Sequence, residues 1–356
     1  MNTQVFTARR DRLRTLMAGK GYKAMLVPLA ANRYYLSGFE LHDPQCNESA
    51  GMILVTDSGE DWLMTDSRFI DAAARVWPRE RVFIYRYPVM ESIGRHIRSL
   101  GYSEVCVDDQ SLSFRNWKNM SNAISMVPCS GYVEALRLIK DDTEIAAIRK
   151  ANALNHKVFA QIEKELVPGR TEREIAWMIE KLYREQGASE LAFTTIVAVG
   201  KNAALPHAIP GDDIITENCP VLIDKGCRVD EYCSDQTRTF WVGNSPSDEF
   251  KRTLELVQEA QRAGISAIAG GEPIPEVYDR ANSVFERHGV EKYFTHSFGH
   301  GVGLETHEGP GLSMRGTQLF EPGMVVTAEP GLYYPEWGGV RWEHMVLVTD
   351  DACEVL

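Results

Sequence analysis

The chain has 356 residues, of which 44% are hydrophobic and 25% charged, a composition typical of a folded protein without long disordered tracts. Its formal net charge is -12, so its overall electrostatics oppose binding to nucleic acid or to an anionic membrane surface. The seven cysteines form no Cys-x-x-Cys pair, and no segment approaches the ~18 apolar residues that a membrane span needs. Because the amino-terminal stretch also lacks a signal-peptide pattern, we expect reduced thiols and a cytoplasmic protein.

The first part of the chain alternates helix and strand patterns. Helix patterns cover residues 9–20, 67–76 and 90–100, and strand patterns cover residues 24–27, 52–55, 62–64, 82–84 and 104–107. This alternation predicts a small α/β layer domain over residues 1–135. A polar stretch between Phe39 and Ala50 interrupts the alternation and predicts an exposed loop.

The pattern changes near Glu134, where we place a domain boundary, so the second domain covers residues 136–356. Helix patterns in this part cover residues 141–166, 171–183, 245–268 and 275–286. Thr171 and Glu174 have the spacing of a capping box, which marks the start of the second of these helices. Each helix pair adjoins strand patterns, so the order of elements predicts an internal duplication within the second domain.

Two strand patterns of the second domain each carry an aspartate. Three apolar residues run into Asp224, and a second extended run carries Asp235, Thr237 and Thr239. Because side chains alternate along a strand, Asp235 and the two threonines share one face, and antiparallel pairing through a tight turn would bring Asp224 beside Asp235. Two carboxylates that close repel each other unless one is protonated or a cation lies between them. The predicted hairpin is therefore either a strained acid pair or half of a metal site.

Further acids and histidines lie in glycine-rich segments or on apolar strands. They are His207 after Leu-Pro, His300 and His307 in Gly-His-Gly-x-Gly-Leu-x-x-His-Glu, Glu329 before Pro-Gly, and Arg341 and Glu343 in Arg-x-Glu. A lone buried carboxylate is costly unless it is paired or bound to metal. A set of four acids with one imidazole is dominated by oxygen ligands, which suits Mn²⁺, Co²⁺ or Zn²⁺ in a two-metal site.

Each of these residues also has an ordinary structural explanation. Asp224 can cap a turn, Asp235 can be an exposed strand acid, and Glu329 can simply precede a turn. Arg341 and Glu343 can form a surface pair of little energetic worth. His300 can be a loop histidine bonded to backbone, and His207 can be an ordinary exposed loop residue. Taken one at a time, these explanations are the more frequent ones, and only the combination of segments favours a metal site.

That combination closely resembles the pita-bread metallopeptidases, in the branch of the Xaa-Pro dipeptidases (prolidases) and Xaa-Pro aminopeptidases. The matching motifs, in order and spacing, are Leu-Pro-His at 205–207, Asp-x-Gly at 224–226, Ser-Asp-x-Thr-Arg-Thr at 234–239, the histidine motif at 299–308, Glu-Pro-Gly at 329–331 and Arg-x-Glu at 341–343. Residues 32–39 and 65–69 are similar to the family's first domain. The resemblance implies a two-domain α/β protein, with a small creatinase/prolidase-like α/β domain at 1–135 and a pita-bread catalytic domain, a duplicated α+β unit, at 136–356.

The resemblance also implies a site for two divalent metal ions, with Mn²⁺ or Co²⁺ preferred to Zn²⁺. The implied ligands are Asp224, Asp235, His300, Glu329 and Glu343. Asp235 and Glu343 would bridge both ions, and Asp224 would bind one of them. His300 and Glu329 would bind the other ion.

The activity implied by the resemblance is hydrolysis of Xaa-Pro bonds in short proline-containing peptides, by a hydroxide that bridges the two ions. His207 and His307 would hydrogen-bond the substrate and the tetrahedral intermediate, and Glu329 would pass a proton to the leaving nitrogen. Arg341 would reach a bridging ligand or a substrate carboxylate. The family also implies a homodimer in which the N-terminal domain of one chain overhangs the active site of its partner.

Three features depart from the family pattern. His344 follows Arg-x-Glu where family members often have aspartate, which predicts a changed metal affinity or substrate preference. Gly311 lies where some dipeptidases carry an arginine that could hold a free carboxylate, and this favours an aminopeptidase over a dipeptidase. Residues 40–49 form a longer and more polar segment than the short turn expected there.

Two alternatives to a peptidase share the same fold. One is a hydrolase or lyase acting on a small non-peptide substrate, as in the creatine amidinohydrolase branch, and the other is a non-catalytic binding module. Relatives of both kinds lose metal ligands, whereas this chain keeps all five, so the resemblance favours the peptidase. A methionine aminopeptidase is disfavoured because residues 1–135 form an additional domain.

Overall fold

A computed structural model of the chain describes residues 3–45, 48–109 and 111–356, with Thr3 described by its backbone alone. Backbone contacts divide the chain into two units, Met1–Arg137 and Leu138–Leu356. The boundary at residue 135 inferred from the sequence stays a prediction. Within the polar loop predicted between residues 39 and 50, Cys46 and Asn47 lie outside the described residues.

The first unit is built around one mixed β-sheet flanked by helices. Its strands are β1 (Ala24–Val27), β2 (Met52–Thr56), β3 (Trp62–Thr65), β4 (Val82–Ile84), β5 (Glu104–Asp108) and β6 (Ser125–Cys129). Its helices are α1 (Thr3–Ala18), α2 (Ala30–Ser37), α3 (Ile70–Val76), α4 (Val89–Ser99), α5 (Phe114–Ser121) and α6 (Tyr132–Leu138). The strand order is β4-β3-β2-β1-β5-β6, antiparallel among β1 to β3 and parallel for the pairs β3–β4, β1–β5 and β5–β6. Leu26, Leu54 and Ile93 lie in the core between the sheet and α4.

The second unit begins with a helix pair and two small sheets. The helices are α7 (Asp142–Ile162) and α8 (Glu172–Glu185), and the strands are β7 (Glu190–Leu191), β8 (Ile196–Val199), β9 (Cys219–Lys225), β10 (Cys227–Val229), β11 (Tyr232–Cys233) and β12 (Gln236–Val242). Strands pair in the orders β12-β9-β8 and β11-β10-β7. The capping box of Thr171 and Glu174 is present in full, with each side chain bonded to the other's backbone N–H. It fixes the start of α8 where the sequence predicts it.

A second helix pair and a larger sheet complete this unit. The elements are α9 (Asp248–Ile265), α10 (Ile274–Arg287), β13 (Gly299–Gly301), β14 (Glu308–Leu312), β15 (Val325–Ala328), β16 (Gly331–Tyr334), β17 (Gly338–Arg341), β18 (His344–Val348) and β19 (Cys353–Val355). Five of the strands pair in the order β14-β13-β15-β18-β19, and β16 pairs with β17. Short 3₁₀ turns lie at Ser67–Phe69, Arg79–Arg81, Glu163–Glu165, Gly200–Ala204 and Glu291–Tyr293.

Each helix pair of the second unit covers its own hydrophobic core. The first pair packs on β8 and β9 through residues such as Val158, Ile179 and Val221. The second pair packs on the larger sheet through residues such as Val257 and Val346. This repeated arrangement of a helix pair on strands agrees with the internal duplication predicted from the order of elements.

The connection between β9 and β12 differs from the tight turn predicted from the sequence. The ten residues from 226 to 235 contain β10 and β11, which pair with each other and turn at Asp230 and Glu231, where φ is 49° and 74°. Strands β9 and β12 still pair antiparallel, with Thr237 opposite Asp224. Asp235 precedes Thr237 by two residues and therefore falls on the same face as Asp224. The predicted closeness of the two aspartates is thus reached through a longer connection.

None of the helices in the described part of the chain combines the length and the apolar character needed to cross a membrane. The six cysteines within the described ranges are free thiols. The seventh, Cys46, lies outside those ranges.

Candidate metal centre

A cavity of about 460 Å³ in the second unit gathers most of the residues singled out in the sequence. Seven of them line it, namely His207, Asp224, Asp235, His300, His307, Glu329 and Arg341. The eighth, Glu343, lies beneath this lining and is 1% exposed. The first and last of these residues, His207 and Glu343, are more than a hundred positions apart in the sequence, so only the fold brings them together.

Three carboxylates form one cluster in the cavity wall. Asp224 belongs to β9, Asp235 precedes β12, and Glu343 lies in the link between β17 and β18. One oxygen atom of each lies within 4.8 Å of one oxygen of the other two. Arg341 donates to Asp224 Oδ2 at 2.7 Å, and Thr237 Oγ1 donates to Glu343 Oε2 at 2.8 Å, so two of the acids are oriented by a neighbouring strand.

Each acid of this cluster also has a buried oxygen without a hydrogen-bond partner among the described residues. These atoms are Asp224 Oδ1, Asp235 Oδ1 and Glu343 Oε1. Burial, and then the neighbouring carboxylates, raise the pKa of Asp235 and of Glu343 well above their usual values. Buried acceptors without donors are rare, and a cation satisfies several of them at once. The set therefore fits a divalent ion bound by hard oxygen ligands.

The other side of the cavity pairs an imidazole with a carboxylate. His300 Nε2 lies 3.2 Å from Glu329 Oε1 and 3.6 Å from Asp235 Oδ2, while its Nδ1 lies 3.0 Å from the carbonyl of Gly301. Thr327 Oγ1 donates to Glu329 Oε1 at 3.0 Å. Burial opposes both charges, but the hydrogen bond between them prevails, so the pKa of Glu329 falls to about 2 and that of His300 rises to about 9. Because Nδ1 is held by a carbonyl, Nε2 is the atom left to bind an ion between the two acids.

Arg341 is buried and engages several protein groups at once. Besides Asp224, it donates to Thr237 Oγ1 at 3.0 Å, to Tyr333 Oη at 3.0 Å and to the Pro206 carbonyl at 3.2 Å. Arg341 therefore connects Asp224 to the loop that carries His207. A guanidinium with donors in a fixed fork suits this kind of multiple contact.

The two remaining predicted histidines are exposed at the cavity. His207 follows the 3₁₀ turn that ends at Ala204, and His307 lies with its ring centre 4.0 Å from that of His300. One ligand atom each of Asp235, His300 and His307 also lie within 4.8 Å of one another. His307, to which the family resemblance gives a role in substrate binding, is thus also within reach of an ion held by Asp235 and His300.

Sequence reasoning missed one titratable residue of this cavity, His296. His296 lines it and has its Nε2 2.8 Å from the hydroxyl of Tyr333. A signal was present, since His296 lies four residues before His300 in the same glycine-rich segment. The apolar part of the lining, which includes Phe193, Ile196 and Ile209, carried no motif and could not have been found from the sequence.

The two departures at 344 and 311 do not line the cavity. His344 lies behind the carboxylates, with Nε2 2.9 Å from Arg238 Nη2 and Nδ1 3.1 Å from Gln261 Oε1. Burial, and then the positive charge of Arg238, lower the pKa of His344 to about 4. Gly311 is exposed on β14, and a side chain there would meet open space.

An α/β chain that gathers three acids and four histidines in one cavity, with a fourth acid beneath its lining, has the architecture of a metal-dependent hydrolase. Residues 146–350 match the family described as Metallopeptidase family M24, and residues 9–139 match the Creatinase/Prolidase N-terminal domain. The chain belongs to metallopeptidase family M24. This confirms the family recognised from the motifs, the pita-bread fold class and the prediction of an enzyme.

Known proteins are similar to the chain over nearly its whole length. The uncharacterized peptidase YqhT of Bacillus subtilis is 33% identical over 345 residues, which are 96% of this chain and 95% of that protein. The solved structure of an Xaa-Pro dipeptidase from Bacillus anthracis has a TM-score of 0.91 at 33% identity and covers 98% of this chain and 97% of that chain. The solved structure of an X-Pro aminopeptidase from Thermotoga maritima has a TM-score of 0.88 at 29% identity, covering 97% and 96%. The solved relatives thus include both a dipeptidase and an aminopeptidase.

Proposed function

We propose that the protein hydrolyses Xaa-Pro bonds of short peptides with two divalent metal ions. The observation that carries the proposal is the cluster of Asp224, Asp235 and Glu343, whose unpaired buried oxygens converge beside the pair of His300 and Glu329. The similarity to solved Xaa-Pro peptidases supports the substrate class.

The five residues of this cluster and pair would be the metal ligands. Asp235 is adjacent to both groups, as a ligand shared by two ions must be, and Glu343 would be the other shared ligand. An oxygen-rich set with one or two imidazoles suits Mn²⁺ or Co²⁺, with Zn²⁺ as the next choice. When bound, such ions polarise the scissile carbonyl and make a nucleophile available from water near neutral pH.

The residues around the ligands would position the substrate and move protons. His207 and His307 are exposed at the cavity and would donate hydrogen bonds to the carbonyl oxygen as negative charge develops on it. Glu329 would carry a proton to the leaving nitrogen. Arg341 would keep Asp224 in place, and its contact with a substrate carboxylate stays a prediction.

Proline selectivity would follow from the lining of the cavity. The nitrogen of an Xaa-Pro bond carries no hydrogen, and the proline ring fixes φ. A site for proline therefore cannot rely on a hydrogen bond from this nitrogen or on rotation about φ. Phe193, Ile196 and Ile209 provide an apolar wall against which a pyrrolidine ring can pack.

The test compares matched peptides on protein stripped with chelator and reloaded with Mn²⁺, Co²⁺ or Zn²⁺. We expect about two bound ions per chain, as a dinuclear site requires, and turnover of Ala-Pro or Ala-Pro-Ala far above that of Ala-Ala and Ala-Ala-Ala. Cleavage of the dipeptide alone indicates a dipeptidase, and cleavage of the tripeptide indicates an aminopeptidase. Equal rates for the proline and alanine peptides would exclude proline selectivity.

Asp235→Asn serves as the ion-deficient variant in this assay, and Asp351→Asn, at an exposed aspartate outside the cavity, serves as its charge-matched control. The changed substrate preference predicted from His344 has no support in the cavity, which His344 does not line, so no observation favours a non-peptide substrate. The homodimer and the cytoplasmic location expected from the sequence stay predictions. Light scattering of the purified protein tests the homodimer.

A further inference from the structure

A single glutamine joins the two segments that carry Glu329 and Glu343. Gln261 lies on the buried face of α9 and is 4% exposed. Its side-chain amide donates to the carbonyl of Ala328 at 2.8 Å and to the carbonyl of Trp342 at 2.9 Å. Each of these carbonyls belongs to the residue immediately before one of the two acids. The orientation of this amide therefore bears directly on where both carboxylates lie.

His344 determines which way the amide of Gln261 points. Arg238 has only donors, so the His344 Nε2 that lies 2.9 Å from it must accept a hydrogen bond. The ring hydrogen is then on Nδ1, which donates to Gln261 Oε1 at 3.1 Å. With its oxygen held by this donor, Gln261 must turn both hydrogens of its nitrogen towards the two carbonyls. Every donor and acceptor in this chain of contacts is thus assigned without ambiguity.

We propose that His344 is a positioning residue, which holds Glu329 and Glu343 at the spacing required for divalent ions by donating to Gln261. The inference rests on the proposed function, since it takes both acids as metal ligands. Residues that hydrogen-bond the ligands of a metal site typically change its affinity by 10–100-fold when they are lost. His344 acts one residue further out, through backbone that directly precedes the ligands.

An aspartate at position 344, which the family resemblance leads one to expect, could not act in the same way. A carboxylate can accept from Arg238 but has no hydrogen for Gln261 Oε1. Gln261 would then turn its nitrogen towards the aspartate and its oxygen towards the carbonyls of Ala328 and Trp342. These carbonyls are themselves acceptors, so the oxygen of Gln261 could form no hydrogen bond with them. His344 and Gln261 therefore form a matched pair in this chain.

The test compares His344→Asn with His344→Asp, which have the same shape and differ in one donor and one charge. An asparagine can still donate to Gln261 Oε1, whereas an aspartate cannot. Mn²⁺ binding is measured by equilibrium dialysis on chelator-stripped protein. We expect the aspartate variant to lose about tenfold or more in affinity and the asparagine variant to stay within about threefold of the original chain. Simple charge attraction predicts the opposite order, because an added acid near the site attracts a cation.

A second variant reaches the same contact from the other side. Gln261→Met keeps the length of the side chain and removes both donors, so we expect the same loss of Mn²⁺ affinity as for His344→Asp. The visible absorption spectrum of Co²⁺-loaded protein, recorded well below the melting temperature, should change in both of these variants and not in His344→Asn. Lower stability alone does not alter that spectrum. Far-UV circular dichroism checks folding, and Gln261→Met decides the matter if His344→Asp does not fold.

Two results would overturn the inference. One is a His344→Asp protein that binds Mn²⁺ at least as tightly as the original chain, and the other is an equal loss in the asparagine and aspartate variants. A failure of the proposed function looks different, because the unmodified protein would then bind no divalent ion at all.

Discussion

Replacing Asp235 by asparagine separates the stability of the protein from its ability to bind ions. Asp235 is 4% exposed, and its Oδ1 has no hydrogen-bond partner among the described residues. One of its oxygens lies within 4.8 Å of oxygens of Asp224 and Glu343. Asparagine keeps the shape of the side chain and removes its charge. We therefore expect the ion-free variant to be more stable than the unmodified protein and to have lost its response to divalent ions.

The size of the effect follows from the distances in the cluster. Two unit charges at this separation repel by roughly 3–4 kcal/mol at an effective dielectric constant near 20, which is an upper bound. Burial, and then Glu343, raise the pKa of Asp235, so protonation relieves part of this repulsion. A net gain of about 1–3 kcal/mol in the free energy of unfolding is left, equivalent to a melting temperature higher by roughly 3–10 °C in a unit of this size.

Thermal melting with chelator and with saturating Mn²⁺ measures both parts of this prediction. Ions that bind only the folded protein stabilise it by about 2.7 kcal/mol at a hundred times their dissociation constant. The unmodified protein should gain this stability from each of the two proposed ions while Asp235→Asn should not, so the order of the two melting temperatures reverses. Asp351→Asn, which removes the same charge from an exposed site, should follow the unmodified protein in both conditions. A variant that melts lower than the unmodified protein in chelator, or that keeps the full ion-induced shift, would refute the reasoning.

Three further changes have defined outcomes. Burial lowers the pKa of His96, so the unfolded chain binds a proton that the folded chain does not, and the free energy of unfolding falls as the pH drops below ~6.5. His96→Phe should weaken this pH dependence of the free energy of unfolding in urea titrations. An unchanged pH dependence would contradict the prediction. Glu172 accepts hydrogen bonds from backbone N–H groups at both ends of the loop that carries His207. Glu172→Gln should therefore raise KM more than it lowers kcat in peptide assays. An effect on kcat alone would speak against a role of Glu172 in positioning this loop. Arg341→Met removes the guanidinium that pairs with Asp224 and should lower the free energy of unfolding by about 3–5 kcal/mol in denaturant titrations. An unchanged denaturation midpoint would contradict this prediction.

The secondary structure was predictable wherever apolar runs were continuous. Strand β1 has the predicted bounds because all four of its residues are buried. Strand β6 was missed because only Cys129 among its residues is buried and Pro128 argues against a strand. Helix α9 begins after Ser247, whose side chain caps it, rather than at Ser245 as predicted. Caps and burial therefore set the boundaries more than composition does.

The residues of the candidate site were predictable from motifs, but the residues that orient them were not. The closeness of Asp224 and Asp235 required only the antiparallel pairing of β9 and β12, which their patterns indicated. The two short strands between them were invisible, because runs of three and two residues show no period. Gln261 gave one weak signal, as a polar residue within the apolar stripe of a helix, and its partners lie far away in the sequence.

The charges of the groups that orient the proposed ligands bear on the proposed loading of the site with two ions. Among the described residues, Glu329 and Glu343 are held by threonine hydroxyls, which supply hydrogen bonds without charge, and Arg341 supplies the one guanidinium that bonds to a carboxylate group of the cluster. Four carboxylates and one guanidinium leave the loaded site negative with a single divalent ion and positive by one charge with two. A carbonyl oxygen that becomes negative during hydrolysis is repelled in the first case and attracted in the second. Because these hydrogen-bonding groups are neutral, they leave the excess negative charge of the carboxylates uncompensated, and this charge balance supports the proposed loading with two ions.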